Sequence, residues 1–300
     1  MGRLSLTTTC CHAVMSQHTG IFSGRTAVLG TMHGKEQVIA PILRRELGIS
    51  VVVPCEFDSD AFGTFTRDIP RAGSQLDAAR AKVRAAMSLL GADLGIASEG
   101  SFGPHPDIPF MQSNLELVLL LDTKHDLEVR GHYRTATGHL ACTRVSSVNE
   151  ALAAAAAIGF PGHGVVVRDT ERGSSIIKKD IGTVRDLELT VSAMLSHSRH
   201  DAIFIEADLR AHRNPTRMQS IAQATEDLAK HAKRRCPACG VVGFAVVDVA
   251  RGVPCEWCRT PTDSVAALVY GCVKCGNRTV EPVVKAGATV GPGLCSVCNP

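Results

Sequence analysis

The sequence lacks long apolar runs and any export signal that can be recognised. Its best apolar stretches, Leu115–Leu121 and Ala151–Phe160, are far shorter than the roughly 20 residues that a transmembrane helix needs. Thr, Cys, His and Ser residues interrupt residues 1–24, so the apolar segment of a signal peptide is missing. We therefore expect a cytoplasmic protein with no membrane association, in which residues 1–24 form a flexible extension.

The composition also lacks the bias of a disordered or fibrous chain. The 300 residues are 45% hydrophobic and 20% charged, with 27 Gly and 14 Pro. These proportions argue against global disorder, collagen-like repeats and coiled coils. The chain is long enough to bury a large core, and one large domain with a smaller one is the natural expectation.

Cysteine is abundant, and it is concentrated near the C-terminus. Of the 12 cysteines, eight form four Cys-x-x-Cys pairs, which are Cys236/Cys239, Cys255/Cys258, Cys272/Cys275 and Cys295/Cys298. Two residues between thiolates let both sulfurs face one metal ion, and a reducing compartment disfavours disulfides. We predict that all eight are ligands of two structural Zn²⁺ ions in a double zinc ribbon over residues 234–300, with Phe244 and Tyr270 in its core. Trp257 is expected to pack against the turn between Cys255 and Cys258, and stacking on a nucleic-acid base is the alternative.

The spacing favours ribbons made from consecutive pairs and leaves an interleaved arrangement open. Fifteen residues separate the first two pairs and 19 separate the last two, in or close to the zinc-ribbon range. Eight thiolates and two Zn²⁺ together carry a charge of −4, which turns the formal +3 into about −1. A protein or nucleic-acid partner of the ribbons therefore gains no support from charge.

Apolar strands alternate with amphipathic helices over residues 25–233, which predicts an α/β domain with a mixed sheet flanked by helices. The periodicity predicts a helix over Glu36–Leu47 and a short strand over Asp93–Ala97. Leu127–Tyr133 and His139–Val145 are expected to form an antiparallel pair.

Two candidate ligand sites follow apolar strands. Thr31, His33 and Lys35 lie between a strand and a helix start, where free amides and a lysine suit a phosphate; the alternative is an ordinary turn. Glu99 and His105 belong to a loop rich in glycine and proline, where Glu99 would hold Mg²⁺ or His105 would transfer protons. Plain turn architecture is the alternative there.

Two helix starts carry further candidates. Asp77 completes a capping box with Ser74, which explains it structurally unless it also binds a ligand. His212, Arg213 and Arg217 crowd at the start of another helix, where they would read an anion or the edge of a base; the alternative is an ordinary helix start, with Asn214 as its N-cap and Pro215 in its first turn.

The segment over residues 96–101 resembles part of a known enzyme family. It reads Ile-Ala-Ser-Glu-Gly-Ser and is similar to the Ile-Ala-Asp-Asp-Ser-Gly loop of the inosine/xanthosine triphosphate pyrophosphatases. Thr31-x-His33-x-Lys35 is similar to the strand-end phosphate motif of that family. Ser98-Glu99 stands where the family has paired acids.

Two further pieces follow the order of that family. Asp77 and Lys82 match the acid-to-lysine spacing of its Glu-Asn-Ala-x-x-Lys helix, and His212-Arg213 resembles its base-recognition segment. The resemblance implies a Mg²⁺-dependent nucleotide pyrophosphohydrolase of nucleoside triphosphates. In it Asp77 and Glu99 would hold Mg²⁺, Lys82 would neutralise the triphosphate, and His212 and Arg213 would face the base.

The whole chain also resembles a bacterial family described only as a domain of unknown function. The resemblance rests on the loop over residues 99–106, the Asn-Pro-Thr-Arg-Met segment over residues 214–218 and the four terminal cysteine pairs. It implies no activity. A non-enzymatic zinc-ribbon protein that binds a partner is therefore the alternative to the hydrolase, and a serine hydrolase is disfavoured because the Gly-x-Ser-x-Gly elbow is missing.

Overall fold

A computed structural model describes most of the chain. The described residues are 20–59, 73–106, 108, 110–137, 142–171, 173–174, 176–198 and 201–299. Residues 1–19 of the predicted extension and residues 139–141 of one predicted strand lie outside them.

A five-stranded mixed sheet forms the first half of the α/β body. Its order is β2-β1-β3-β4-β5, and its strands are β1 (Thr26–Gly30), β2 (Ser50–Val52), β3 (Leu94–Pro104), β4 (Gln112–Asp122) and β5 (Leu127–Ala136). β1 is parallel to β2 and β3, whereas β3, β4 and β5 pair in antiparallel fashion. The sheet therefore combines a β-α-β crossover with a meander.

Helices cover both faces of this sheet. They are α1 (Glu36–Leu47), α2 (Gln75–Leu90) and α5 (Pro215–Lys233). Side chains alternate along a strand, so Leu94 and Ile96 pack with α1 and α5 while Ala97 packs with α2. α5 approaches β5 closely at Gly131, where a Cβ atom would lie 2.2 Å from the Ala224 carbonyl oxygen. Glycine is required at that point because the backbones nearly touch.

A second sheet, with its own apolar core, forms the rest of the body. Its order is β6-β9-β7-β8, all antiparallel, with β6 (Thr143–Val145), β7 (Val165–Arg168), β8 (Ile177–Ile181) and β9 (Ile203–Ala207). The helices α3 (Val148–Ile158) and α4 (Val184–Ser196) pack in the same core.

The α/β class is confirmed, with two local differences from the prediction. The antiparallel pair predicted between Leu127–Tyr133 and His139–Val145 is wrong, because β5 pairs with β4 across a four-residue turn and β6 pairs with β9. The short strand predicted to end at Ala97 continues to Pro104, because β4 pairs with it along its whole length.

The C-terminal region is a small cysteine-rich unit, which we call the cysteine module (residues 236–298). Its antiparallel sheet has the order β10-β11-β12, with β10 (Ala245–Arg251), β11 (Val265–Gly271) and β12 (Arg278–Pro282). Arg234 follows α5, lies 3.6 Å from the centre of the Tyr270 ring and pairs with Glu281. This arginine therefore ties the module to the end of α5.

Candidate functional site

The eight predicted cysteine ligands form two clusters of four sulfurs. One contains Cys236, Cys239, Cys272 and Cys275, and the other contains Cys255, Cys258, Cys295 and Cys298. Within each cluster all sulfurs lie within 4.8 Å of one another, and the hydrogen-bonded sulfur pairs are 3.5 to 3.9 Å apart. A tetrahedron with Zn–S bonds of about 2.3 Å has edges of about 3.8 Å, so the donor set fits Zn²⁺. These separations are too long for disulfides, in which the sulfurs are about 2.05 Å apart.

The expectation that consecutive pairs share a metal is wrong, and the pairs interleave. The cause is the antiparallel sheet, because each strand carries the chain from one end of the module to the other. Ala245 faces Gly271 and Gly271 faces Arg278, so the start of β10, the end of β11 and the start of β12 meet at one end. The first and third pairs stand there, and the second and fourth pairs stand at the opposite end.

Contacts among the thiols of a cluster shift the pKa values of different cysteines in opposite directions. Burial raises the pKa of Cys236, but hydrogen bonds from backbone N–H groups and with neighbouring thiols have the larger opposite effect. The pKa of Cys236 is therefore lowered to about 6. Contact with Cys258, burial and contact with Cys255 raise the pKa of Cys298 to about 12. Four thiolates at such short range repel one another unless a cation is present. The clusters therefore favour a bound dication.

The aromatic residues of the module divide into two groups. Phe244 and Tyr270 stack with ring centres 5.9 Å apart and pack with Cys236 and Cys272, as predicted. Trp257 is 72% exposed, so little of its side chain packs against the turn between Cys255 and Cys258.

The body has a crevice of the type that binds ligands in α/β proteins. From β1 the chain passes through α1 to β2, which lies beside β1 on one side. From β2 it passes through α2, on the opposite face of the sheet, to β3, which lies beside β1 on the other side. The strand order thus reverses between β1 and β3. Ligands bind outside the carboxyl ends of strands at such a reversal, and Thr31 directly follows β1 there.

Five charged side chains lie buried beside this crevice, on both faces of the sheet, and we call them the buried charge cluster. They are Lys35, Lys82, Glu99, Glu116 and Arg217, and none is more than 5% exposed. The Lys35 Nζ atom donates a hydrogen bond to the Ser98 carbonyl oxygen at 2.8 Å. Lys82 forms an ion pair with Glu99 on the α2 face of the sheet, and Arg217 Nε lies 2.6 Å from Glu116 Oε1 on the α5 face.

Gly100 makes room for one of these pairs. A Cβ atom at this position would lie 2.4 Å from Arg217 Nη2 and 2.8 Å from Glu116 Oε1. The absence of a side chain in the middle of β3 therefore lets the guanidinium group approach the strand closely.

Two buried polar atoms near the cluster lack a hydrogen-bond partner among the described residues. They are the Ser98 hydroxyl oxygen and the Asn114 side-chain carbonyl oxygen. A buried polar atom left without a partner costs about 1–3 kcal/mol. Such a cost is offset when a ligand or water supplies the partner, so these atoms are candidate ligand contacts.

The structure brings some predicted residues together and separates others. Lys82 contacts Glu99, but Asp77 is five residues from Lys82 and about 140° away around α2. Asp77 is exposed and completes the predicted capping box with Ser74. His105 stands six residues beyond Glu99 along β3 and the turn after it, a distance of about 20 Å along the strand direction.

The turn after β1 meets the turn before α5. The rings of His33 and His212 stack with their centres 5.0 Å apart. Arg213 Nε and His212 Nε2 lie 3.3 and 3.5 Å from Asp180 Oδ1. Burial raises the pKa of Asp180, but its contacts with Arg210, His212 and Arg213 have the larger opposite effect. The pKa of Asp180 is therefore lowered to about 2. The predicted phosphate and base-recognition segments are therefore neighbours.

Sequence reasoning missed Asp180 and Glu116. Glu116 is a lone acid within the apolar run around Leu115–Leu121, and a lone charge in a buried strand signals a buried partner. Arg217 was expected to read an anion at a helix start, but the structure pairs it with Glu116 at 2% exposure. No comparable signal in the sequence marked Asp180, which lies near the end of the polar strand β8.

These features define a mixed α/β protein with a C-terminal module of two four-cysteine sites. The family model described as "Domain of unknown function (DUF6671)" matches residues 82–300, and the chain belongs to this family. The match includes all eight cysteines and four members of the buried charge cluster, whereas Lys35 precedes it. No curated protein matches the chain. Within the described residues, no helix combines the length and apolar character needed to cross a membrane.

Proposed function

We propose that the α/β body binds a phosphate-bearing small molecule of the nucleotide class in the crevice between β1 and β3. The observation that carries the proposal is the set of three buried cations, Lys35, Lys82 and Arg217, beside the carboxyl end of β1. Among the described residues, two carboxylates, Glu99 and Glu116, pair with them. A buried surplus of basic groups over carboxylates favours an anionic ligand, and the reversal of strand order provides the place for it.

The neighbouring turns support a nucleotide over a bare phosphate. His33 and His212 offer stacked rings beside the same crevice, and Asp180 holds the Arg213 guanidinium group next to them. A phosphate would be held at the turn after β1, with the base near His212 and Arg213. This arrangement follows the resemblance to the triphosphate pyrophosphatases.

Binding is tested by titrating the protein with ADP and ATP, with adenosine as the matched uncharged ligand. We expect binding of both nucleotides and none of adenosine, because the phosphate makes the principal contact. Replacing Lys82 with Met removes one cation and is expected to weaken ATP binding at least tenfold. Equal affinities for adenosine and ATP would contradict the proposal.

Hydrolysis with Mg²⁺ is the catalytic form of the same proposal. The buried Glu99 carboxylate beside Lys82 favours it, since a carboxylate near a phosphate suits a divalent cation. Asp77 lies on another face of α2, so Glu99 is the member of the predicted acid pair that belongs to the cluster. The test is pyrophosphate release from a panel of nucleoside triphosphates with Mg²⁺ or Mn²⁺. We expect loss of release in Glu99→Gln and retention in Asp77→Asn, where the capping turn keeps its shape.

We further infer that both cysteine clusters hold structural Zn²⁺. Four thiolate ligands leave no open coordination position, so the metals stabilise the module and take no part in a reaction. Thiolate ligands persist in a reducing compartment, which supports a cytoplasmic location. Elemental analysis of protein purified without chelators is expected to give two zinc ions per chain.

Partner binding through the cysteine module is the second candidate function. The exposed side chains of Trp257, Val280 and Val297 favour it, with exposures of 72%, 60% and 61%. Trp257 is the single tryptophan, so its fluorescence reports on this surface directly. We expect no change on titration with RNA or DNA at low salt, because the metal-loaded module has a negative net charge. A change that disappears at high salt would instead indicate a nucleic-acid partner.

A further inference from the structure

The buried charge cluster holds one more cation than carboxylate. Lys82 and Arg217 each have a carboxylate partner, Glu99 and Glu116 respectively. The partner of Lys35 is the carbonyl oxygen of Ser98, which carries no net charge. A buried ion without a counter-ion is costly, so the cluster is most stable when one cation is neutral.

Lys35 is the group that can lose its charge at least cost. An arginine stays protonated in proteins, and Lys82 is held by the Glu99 carboxylate. Four charged groups from four elements face the Lys35 amine. Arg217 from α5 and Lys82 from α2 oppose its charge, whereas Glu99 from β3 and Glu116 from β4 favour it. Burial, followed by Arg217 and Lys82, lowers the pKa of Lys35 to about 7.

We propose that Lys35 couples anion binding to proton uptake: its amine is neutral in the ligand-free protein above neutral pH and accepts one proton when an anionic ligand binds beside it. The inference rests on the proposed function, since it concerns the same crevice. The proton comes from solvent and joins the nitrogen lone pair, and no other bond changes. The ligand supplies the counter-charge that the cluster lacks.

The buried Ser98 hydroxyl supports this placement. Its oxygen has no hydrogen-bond partner among the described residues, although the carbonyl of the same residue accepts the hydrogen bond from Lys35. An anion beside Lys35 would also accept a hydrogen bond from this hydroxyl. Ligand binding would thus give the Lys35 amine a counter-ion and the Ser98 hydroxyl a hydrogen-bond partner.

The test uses inorganic sulfate, a tetrahedral dianion that neither gains nor loses protons near neutral pH. Calorimetric titration of the full-length zinc-loaded protein at pH 8.5, in two buffers of different ionisation enthalpy, gives the number of protons taken up. We expect close to one proton per sulfate, and a Kd that rises about tenfold per pH unit above pH 8. Lys35→Arg keeps a permanent charge and is expected to bind sulfate with no proton uptake.

Sulfate binding by the wild-type protein without proton uptake would overturn this inference and leave the proposed anion site standing. Failure of both sulfate and ADP to bind would overturn both. NMR titration of the lysine side chains in the wild-type protein decides the matter if Lys35→Arg does not fold. We expect one lysine with a midpoint near 7 that moves up when sulfate is added, and midpoints near 10.5 for every lysine would overturn the inference.

Discussion

The α/β body and the cysteine module place their side chains in opposite ways. The body buries charged groups such as Glu116 and Arg217 together with its apolar core. The module leaves apolar groups such as Val280 and Trp257 in solvent. A small unit held by metal ions needs little apolar core, because metal binding supplies its folding free energy. A large domain can bury a charge pair because the rest of its core offsets the cost of desolvation.

Removal of the metals is expected to give the largest effect and to affect the module alone. Structural zinc sites contribute on the order of 10–16 kcal/mol to the folding of zinc-finger peptides. After chelation, amide hydrogen exchange of β10–β12 should become fast while that of β3–β5 stays slow. Adding Zn²⁺ back should restore protection. If β10–β12 stay protected in metal-free protein, the apolar core of the module is sufficient for folding, and the module does not differ from the body in this respect.

Loss of the buried Glu116 carboxylate is expected to have the largest effect in the body. Glu116→Ala leaves Arg217 buried without its partner, and breaking such a pair costs about 3–5 kcal/mol. The matched change is Glu226→Ala, which breaks the exposed pair with Arg45 and should cost less than about 1 kcal/mol. Urea unfolding followed by far-UV circular dichroism measures both. Equal losses of unfolding free energy in the two variants would show that burial does not determine how much an ion pair contributes to stability.

The buried amine of Lys35 is expected to make the stability of the body depend on pH. Its folded pKa, about 7, lies below the unfolded value of 10.5, so the unfolded chain binds more protons between these limits. The free energy of unfolding of the wild type should therefore rise with pH across this window, relative to Lys35→Met, by up to about 1.4 kcal/mol per pH unit. Parallel pH profiles of the two proteins would mean that Lys35 is charged in the folded state.

Truncation of an exposed valine of the module is expected to have the smallest effect. Val280→Ala should change the free energy of unfolding by no more than about 0.5 kcal/mol, as at other exposed sites. Leu120→Ala, in the fully buried core of the body, should cost about 2–5 kcal/mol. Thermal unfolding of both variants makes the comparison. A large loss from Val280→Ala would show that its face of the module is covered.

Local signals in the sequence predicted local structure well. The apolar spacing placed α1 at Glu36–Leu47, which matches the structure, and the Ser74/Asp77 capping box begins α2 as expected. Short-range patterns succeed because caps and helix faces depend on residues three or four positions apart. The zinc-ligand spacing likewise identified every cysteine of both clusters.

Long-range pairing was harder to predict. Polar residues such as Glu99 concealed the second half of β3, because a strand that buries a charge pair does not look apolar. The spacing favoured consecutive cysteine pairs for one metal, but the antiparallel strands of the module bring alternate pairs together. The partner of a buried charge is a property of the fold, so the sequence showed that Glu116 was unusual but not that Arg217 would meet it.

The interleaved order of the cysteines has a consequence for how the metals load. The segment from Cys255 to Cys275 belongs to the loops closed by both clusters, and β11 runs through it from one cluster to the other. The sheet that aligns one set of thiolates therefore aligns the other set as well. If both clusters bind Zn²⁺ as proposed, we expect the two ions and the three strands to form one all-or-none unit, so that chains with no zinc or two zinc ions far outnumber chains with one.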